Sequence, residues 1–299
     1  MKKTLLTICL VWMCFSLSAQ KIIDLSGKWS FSIDRQDNGE KEKWFSHTLN
    51  DFINLPGSMP EKLKGDEVTA KTQWTGSLYD SSYYYNPYME KYRKEGNIKF
   101  PFFLTPDKHY VGAAWYQKEV NIPADWKGER ILLFLERPHI ETTVWVNGQK
   151  TGMQNSLCVP HQYDITRYVR PGKCTITIRV DNRIKEINVG PDSHSITDQT
   201  QGNWNGIVGR ICLQTTPKTY FDDIQIYPEP EQKLARVKVV IKGTGTAKVK
   251  LSAESFNTDK KHIVPAIQQE IKLNKGVTET EMVLPMGNDM LLWDEFHPA

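Results

Sequence analysis

Short runs in which apolar and polar residues alternate, cut by turn signals, constrain this chain more than any other feature. Trp29, Phe31 and Ile33 fall on one side of the run that starts at Lys28. Ile140, Thr142, Val144 and Val146 share one face with Thr143 and Trp145 on the other, and Asn147-Gly148 follows at once. Cys174, Ile176, Ile178 and Val180 alternate in the same way. Successive side chains of a strand point to opposite faces, so this period predicts half-buried strands. Asn-Gly straight after such a run predicts a tight hairpin. Trp115 to Ile122 reads as a strand closed by Pro123, and Arg130 to Leu135 as a buried one. Many short strands without a sustained helical period predict an all-β sandwich.

At 299 residues the chain is long enough for two domains. Residues 1–19 read as a signal peptide: Lys2 and Lys3, an apolar stretch from Thr4 to Leu17, then Ser18-Ala19. That stretch is too short for a membrane span, and bulky Trp12-Met13 before Cys14 argue against a lipid-modified cysteine, so a soluble product exported to the periplasm or beyond is expected. Residues 20–217 form the first expected sandwich. The segment Phe221 to Tyr227 and the Pro228-Glu-Pro230 break mark a boundary, and residues 218–299 read as a second, smaller sandwich. Its expected strands are 235–242, 246–251, 266–273 and 280–284, after which it ends early, leaving an open edge.

Three cysteines outside the leader, Cys158, Cys174 and Cys212, are too few and too widely spaced for a disulfide framework or a metal site. Cys174 and Cys212 sit in apolar runs and read as small buried hydrophobes. A formal charge of +3 is too small to argue for nucleic acid. Neither a metal nor a cofactor is expected.

Residues 60–110 break the pattern. Trp74, Tyr79, Tyr83, Tyr84, Tyr85, Tyr88 and Tyr92 sit among polar residues without a period, which reads as a long insertion. Clustered tyrosines argue against disorder, leaving either a sugar-binding lid or an aromatic loop packed on its own domain. The stretch from Ser193 to Leu213 is the other candidate for function. It carries Asp198, Gln199, Asn203 and Trp204 before a Gly206-Ile207 strand start. An indole flanked by glycines, with acid and amide side chains beside it, offers what a sugar needs: a flat face and hydrogen-bonding groups. The same Trp204 could simply plug the end of a sandwich, and Asp198 could cap backbone N–H groups.

Taken in order, Leu25-Ser-Gly-Lys-Trp29, Leu55-Pro-Gly-Ser58, Trp115-Tyr116, Gly128 through Val144-Trp-Val-Asn-Gly148, Tyr163-Asp-Ile-Thr166 and Trp204-Asn-Gly-Ile207 resemble the N-terminal region of glycoside hydrolase family 2. That group contains β-galactosidases, β-glucuronidases and β-mannosidases. The resemblance implies a galactose-binding-like jelly roll, then an immunoglobulin-like sandwich, here truncated, then a (β/α)₈ barrel that does the chemistry. It also implies that Asp198, standing before Gly206-Ile207, helps hold the terminal sugar, and that Asn203-Trp204 corresponds to the Asn-aromatic pair of the glucuronidase branch. One departure stands out: the family commonly has arginine two residues after the isoleucine, whereas here Gly209 precedes Arg210.

Retaining glycoside hydrolysis uses two carboxyl groups about 5–5.5 Å apart. The family takes both from barrel strands, the acid following an asparagine, and no Asn-Glu dipeptide occurs here. The residues after 217 are far fewer than the roughly 200 a barrel needs. Ser193-His194-Ser195 is no triad by adjacency alone, and a Gly-x-Ser-x-Gly elbow, which an esterase would need, does not occur. The expectation is therefore a carbohydrate-binding, non-catalytic part of an exported family-2-like β-glycosidase, with no catalytic residue of its own. Asp198, Gln199, Asn203 and Trp204 would line a substrate rim completed by a barrel missing from this chain. The alternative is a free-standing, lectin-like carbohydrate-binding protein. Isolated-chain binding of glycosides separates the two.

Overall fold

The computed structural model describes residues 21–76, 81–185, 192–255, 261–290 and 292–296. The expected leader, Tyr79 of the aromatic stretch, Leu291 and residues 297–299 lie outside them. The chain divides between Thr215 and Thr216 into two units.

The first unit is built from the alternating runs. In chain order its strands are β1 (Ile22–Asp24), β2 (Gly27–Asp34), β3 (Asp51–Leu55), β4 (Gly57–Ser58), β5 (Asp66–Glu67), β6 (Lys108–His109), β7 (Ala113–Ile122), β8 (Arg130–Pro138), β9 (Glu141–Val146), β10 (Gln149–Asn155), β11 (His161–Asp164), β12 (Gly172–Asp181) and β13 (Gly206–Thr216). Six of them form one sheet in the order β10-β9-β12-β7-β2-β3. The facing sheet runs β1-β13-β8-β11, with β4 also paired to β13. The pairing is antiparallel, and apart from the β2–β3 and β9–β10 pairs the chain passes from one sheet to the other between successive strands of the sandwich, as in a jelly roll. Asn147 and Gly148 join β9 to β10 with φ of 50° and 76°, the two left-handed residues of a type I′ turn.

Between the sheets lies one core. Trp29, Phe31 and Tyr116 from the six-stranded sheet meet Leu133, Leu135, Ile211 and Leu213 from the other, joined by Val144, Val146, Ile176 and Ile178. All six residues of β9 are buried, although alternation predicts one polar face. The outer face of this sheet is roofed by the segment after β2. There Trp44 and Phe45 pack on Trp115, Trp145 and Leu49, with Phe45 stacked on Trp145 at 5.2 Å. Asp34 Oδ2 ties the roof down by accepting the Trp115 indole N–H at 2.9 Å and the Gly39 N–H at 2.8 Å.

The insertion between β4 and β7 packs on itself. Trp74, Tyr83, Phe100, Phe102 and His109 form a chain of ring contacts between 4.6 and 5.6 Å. Tyr83 and Phe100 are buried, while Tyr84, Tyr85, Tyr88 and Phe103 stay exposed. Its regular structure is slight: the short pair β5–β6, one helical turn, α1 (Ser82–Tyr85), and a 3₁₀ helix over Pro87–Arg93.

The second unit is a three-stranded antiparallel sheet, β14 (Tyr220–Glu229), β15 (Leu234–Glu254) and β16 (Ile263–Pro285), in that order. The four short strands expected here are two long ones. The Gly243–Gly245 stretch, which punctuates the sequence like a turn, is a bulge through which the β15–β16 ladder continues with a register shift. Val237, Val239 and Ile241 on one side of it and Val249 on the other belong to a single cluster with Ile271, Leu273 and Met282, so the long ribbon bends over its own core.

Candidate functional site

Strands β9, β12 and β13 end or begin at one edge of the first unit, and the loops there are joined through buried asparagines. Asn182 Nδ2 donates to Tyr110 O at 2.8 Å, and its Oδ1 accepts the Gly112 N–H at 2.8 Å. Asn205 Nδ2 donates to Gly112 O and Val180 O, both at 2.9 Å, while its Oδ1 accepts the Tyr116 hydroxyl at 2.7 Å. Asn203 Nδ2 reaches Thr75 Oγ1 at 2.9 Å and Asn182 O at 3.0 Å. A carboxamide can donate twice and accept twice, so three of them stitch four chain segments without a charge. Gly206 begins β13 with φ of 144°, and a Cβ there would lie 2.5 Å from Gly57 O. Only glycine permits that approach of β13 to β4.

Asp198 sits inside this arrangement at 2 % exposure. Its Oδ1 accepts the Asn203 N–H at 2.6 Å and its Oδ2 the Thr75 N–H at 2.7 Å. The Asp198 N–H donates to Thr75 O at 3.1 Å. The residue thus clamps the first part of the insertion to the loop before β13. His109 Nε2 stands 3.9 Å from Oδ2. Burial raises the carboxyl above its ordinary range, with His109 and the two backbone amides pulling the other way.

Trp204 is half-buried, and its indole stacks on the His139 ring at 4.6 Å with planes 19° apart. Burial pushes His139 down to about 4, opposed by the neighbouring Asn203 side chain, so the ring is neutral near pH 7. Trp204, Asn203 and Gly202 form one wall of a cleft of about 430 Å³, and Ser58, Glu61, Leu104 and Asp107 are among the residues across it. That volume lies within the range of small-ligand sites. Gln199 is half-buried, with its carbonyl accepting from Phe103 N at 3.4 Å. Of the four residues singled out from the sequence, Asn203 and Trp204 therefore line the cleft, while Asp198 and Gln199 secure the loop behind it. His139, Thr75 and Asn182 carried no sequence signal, because their partners lie far away along the chain.

A second polar cluster sits at the ends of β9 and β12. Arg179 bonds Asp37, Glu141 and Asp181 at 2.6, 3.3 and 3.0 Å. Arg183 reaches Asp37 and Asp181, each at 2.6 Å. Lys185 reaches Glu141 at 2.9 Å and Asp181 at 2.8 Å. Burial alone would raise the Asp181 carboxyl. Hydrogen bonds from Arg183 and Lys185 and the charge of Arg179 hold it well below the usual carboxylate range. A general acid needs the opposite shift, so Asp181 braces the sandwich as an ionised carboxylate. Arg210, displaced by one position from the family pattern, pairs with Glu136 of β8 at 3.0 Å on the surface. Cys174 and Cys212 are buried and unpaired, and Cys158 is exposed.

Two facing antiparallel sheets with a ligand-sized cleft at their loop end define a jelly-roll β-sandwich with room for a small ligand. The model of the glycosyl hydrolases family 2 sugar-binding domain matches residues 22–217, and the chain belongs to that family. It is 24 % identical over 266 residues to a β-glucuronidase of Homo sapiens, covering 80 % of this chain and 35 % of that protein. With a β-glucuronidase of Paenibacillus borealis it shares 25 % over 222 residues, 69 % of this chain and 31 % of the relative. Among solved structures, a β-glucuronidase from an uncultured Clostridium aligns with a TM-score of 0.55 at 18 % identity, covering 91 % of this chain and 40 % of the other. One from Ruminococcus gnavus in complex with D-glucaro-d-lactam gives 0.55 at 17 %, with the same coverage. The chain thus spans about a third of the length of the curated relatives it matches.

Proposed function

We propose that this chain is the non-catalytic, sugar-binding part of an exported family-2 β-glycosidase. It supplies the loop from Ser193 to Gly206 to a glycone site whose acid and nucleophile come from a catalytic barrel outside residues 1–299. Trp204 offers its exposed face to the sugar with His139 stacked behind it, Asn203 anchors the adjoining chain to Thr75 and Asn182, and Asp198 and Gln199 fix the loop. A β-glucuronide is the glycoside to test first, since the matched relatives are β-glucuronidases. The observation that carries the reading is the cleft walled by Trp204 and Asn203 within a family 2 sugar-binding sandwich. The chemistry agrees with it, because both oxygens of Asp198 are taken by backbone amides and Asp181 is held ionised by three cations.

The test pairs turnover with binding. The purified chain is expected to release no chromophore from nitrophenyl β-glucuronide or β-galactoside. Clear turnover that survives purification to homogeneity would refute the assignment. A second reading, a free-standing carbohydrate-binding protein, is favoured by the fact that the cleft is walled by first-unit residues alone. Saturable binding of a glycoside by this chain in isothermal titration supports that second reading, and binding that needs a barrel-bearing partner supports the first.

A further inference from the structure

The cleft beside Trp204 does not end at its far wall. Thr105, Pro106 and Asp107, which close it opposite the tryptophan, are also one wall of a larger cleft of about 900 Å³ formed by the insertion. The two depressions are therefore neighbours across a ridge three residues wide. The larger one is lined by cations and carboxylates in equal number, Lys71, Arg93 and Lys99 against Glu67, Glu95 and Asp107. Glu67 is engaged by Lys108, and Arg93 is oriented by donating to Tyr83 O. A lining that mixes strong donors and acceptors without a dominant sign suits hydroxyl groups, each of which can donate and accept. It does not suit a polyanion, which selects a surface of one sign. On the ridge side the chain also exposes Phe103 and Leu104, at 82 % and 75 %, giving apolar faces next to the polar lining, the combination that C–H and O–H faces of sugars require.

We propose that the two clefts form one groove and that this protein binds a glycan chain of several unsulfated sugars rather than a single terminal residue. The sugar at Trp204 occupies one end, and the insertion between β4 and β7 holds the sugars that follow. This rests on the reading that the Trp204 cleft is a sugar site, and it names the length of the ligand that site takes.

The experiment uses the whole chain and a printed array of neutral galactan oligosaccharides from one to six sugars, with an oligogalacturonide series as the polyanion that should gain nothing with length, followed by isothermal titration of the neutral series. Affinity is expected to rise at least about tenfold between one and four sugars. In the double variant Lys71→Ala, Lys99→Ala that gain disappears while affinity for the shortest binder is kept. Both side chains are exposed, so the fold is unaffected, and a thermal melt checks this. Trp204→Ala weakens every length together. A single-sugar glycoside that binds as tightly as the tetramer, or a double variant that leaves the length dependence intact, overturns the extended groove while the Trp204 site stands. Binding at no length, by the chain alone and together with a barrel-bearing partner, or binding indifferent to Trp204→Ala, overturns both.

Discussion

Replacing Asp198 by alanine separates a clamp from a ligand. In the wild type both carboxylate oxygens accept backbone N–H groups, from Asn203 at 2.6 Å and Thr75 at 2.7 Å. Truncation orphans these two donors in a site where Asp198 is 2 % exposed, at about 1–3 kcal/mol for each unsatisfied buried group. Removing a desolvated charge offsets part of that, leaving a net loss of about 2–4 kcal/mol. At about 2–4 °C per kcal/mol for a unit of this size, the first unit should melt about 5–15 °C lower. Asp198→Asn should fall in between, because one amide oxygen still accepts while the NH₂ meets a donor. The pH profile adds a second readout. The folded carboxyl is raised, so the native state keeps its proton longer than the unfolded chain, whose aspartates titrate near about 3.9. Stability from this group is greatest below that value and is lost as pH rises towards the folded value; Asp198→Asn should flatten that part of the curve. Differential scanning calorimetry from pH 4 to 8 on the wild type and both variants reads all of this. If Asp198→Ala melts within about 2 °C of the wild type yet loses glycan affinity, the clamp is the wrong description and the carboxylate belongs to the ligand.

Other outcomes follow from the same geometry. Trp204→Ala should weaken glycan binding by about tenfold, the worth of one stacked aromatic face, with a far smaller effect on melting; titration calorimetry beside a thermal melt measures both. Gly206→Ala places a Cβ 2.5 Å from Gly57 O and should cost about 3 kcal/mol or more through backbone strain, read as a large drop in melting temperature. Asp181 is held well below the usual range, so its contribution is full above about pH 4 and is lost as pH falls further. Asp181→Asn should therefore be less stable at neutral pH and depend less on acid, as urea midpoints at pH 3 to 7 would show. Cys158 should react with a thiol reagent in the native state, whereas Cys174, raised to about 11 by burial, and Cys212 should react only on unfolding; a timed thiol count distinguishes them.

How much of this could be read from residues alone depended on whether a partner was near in sequence. The β9–β10 hairpin carries its own instructions in Val144 to Gly148, and β7 and β12 alternate along their length. Full burial of β9 could not be foreseen, because its outer face is covered by Trp44 and Phe45 from a segment about a hundred residues earlier, without strand character of its own. Gly243 to Gly245 is ambiguous by chemistry, since glycines with positive φ serve turns and bulges alike, and only the β16 register decides. At the cleft, Trp204 and Asn203 were legible as a flat face beside an amide. The clamp was not, because Thr75 bonds Asp198 across 123 positions and a threonine in a polar stretch advertises nothing. Phe100 and Phe102, centre of the insertion's aromatic packing, were hidden among more numerous tyrosines.

The amides at the loop end mostly grip main chain. Asn182 holds Tyr110 O and Gly112 N, and Asn205 holds Gly112 O and Val180 O. A contact to a peptide group is indifferent to which side chain that residue bears, so the sequence around it is free to drift while the scaffold keeps its outline. Specificity can then be rewritten in the segment before Tyr110 without re-engineering the frame. A library randomised over exposed positions there should return mostly folded proteins that differ in what they bind.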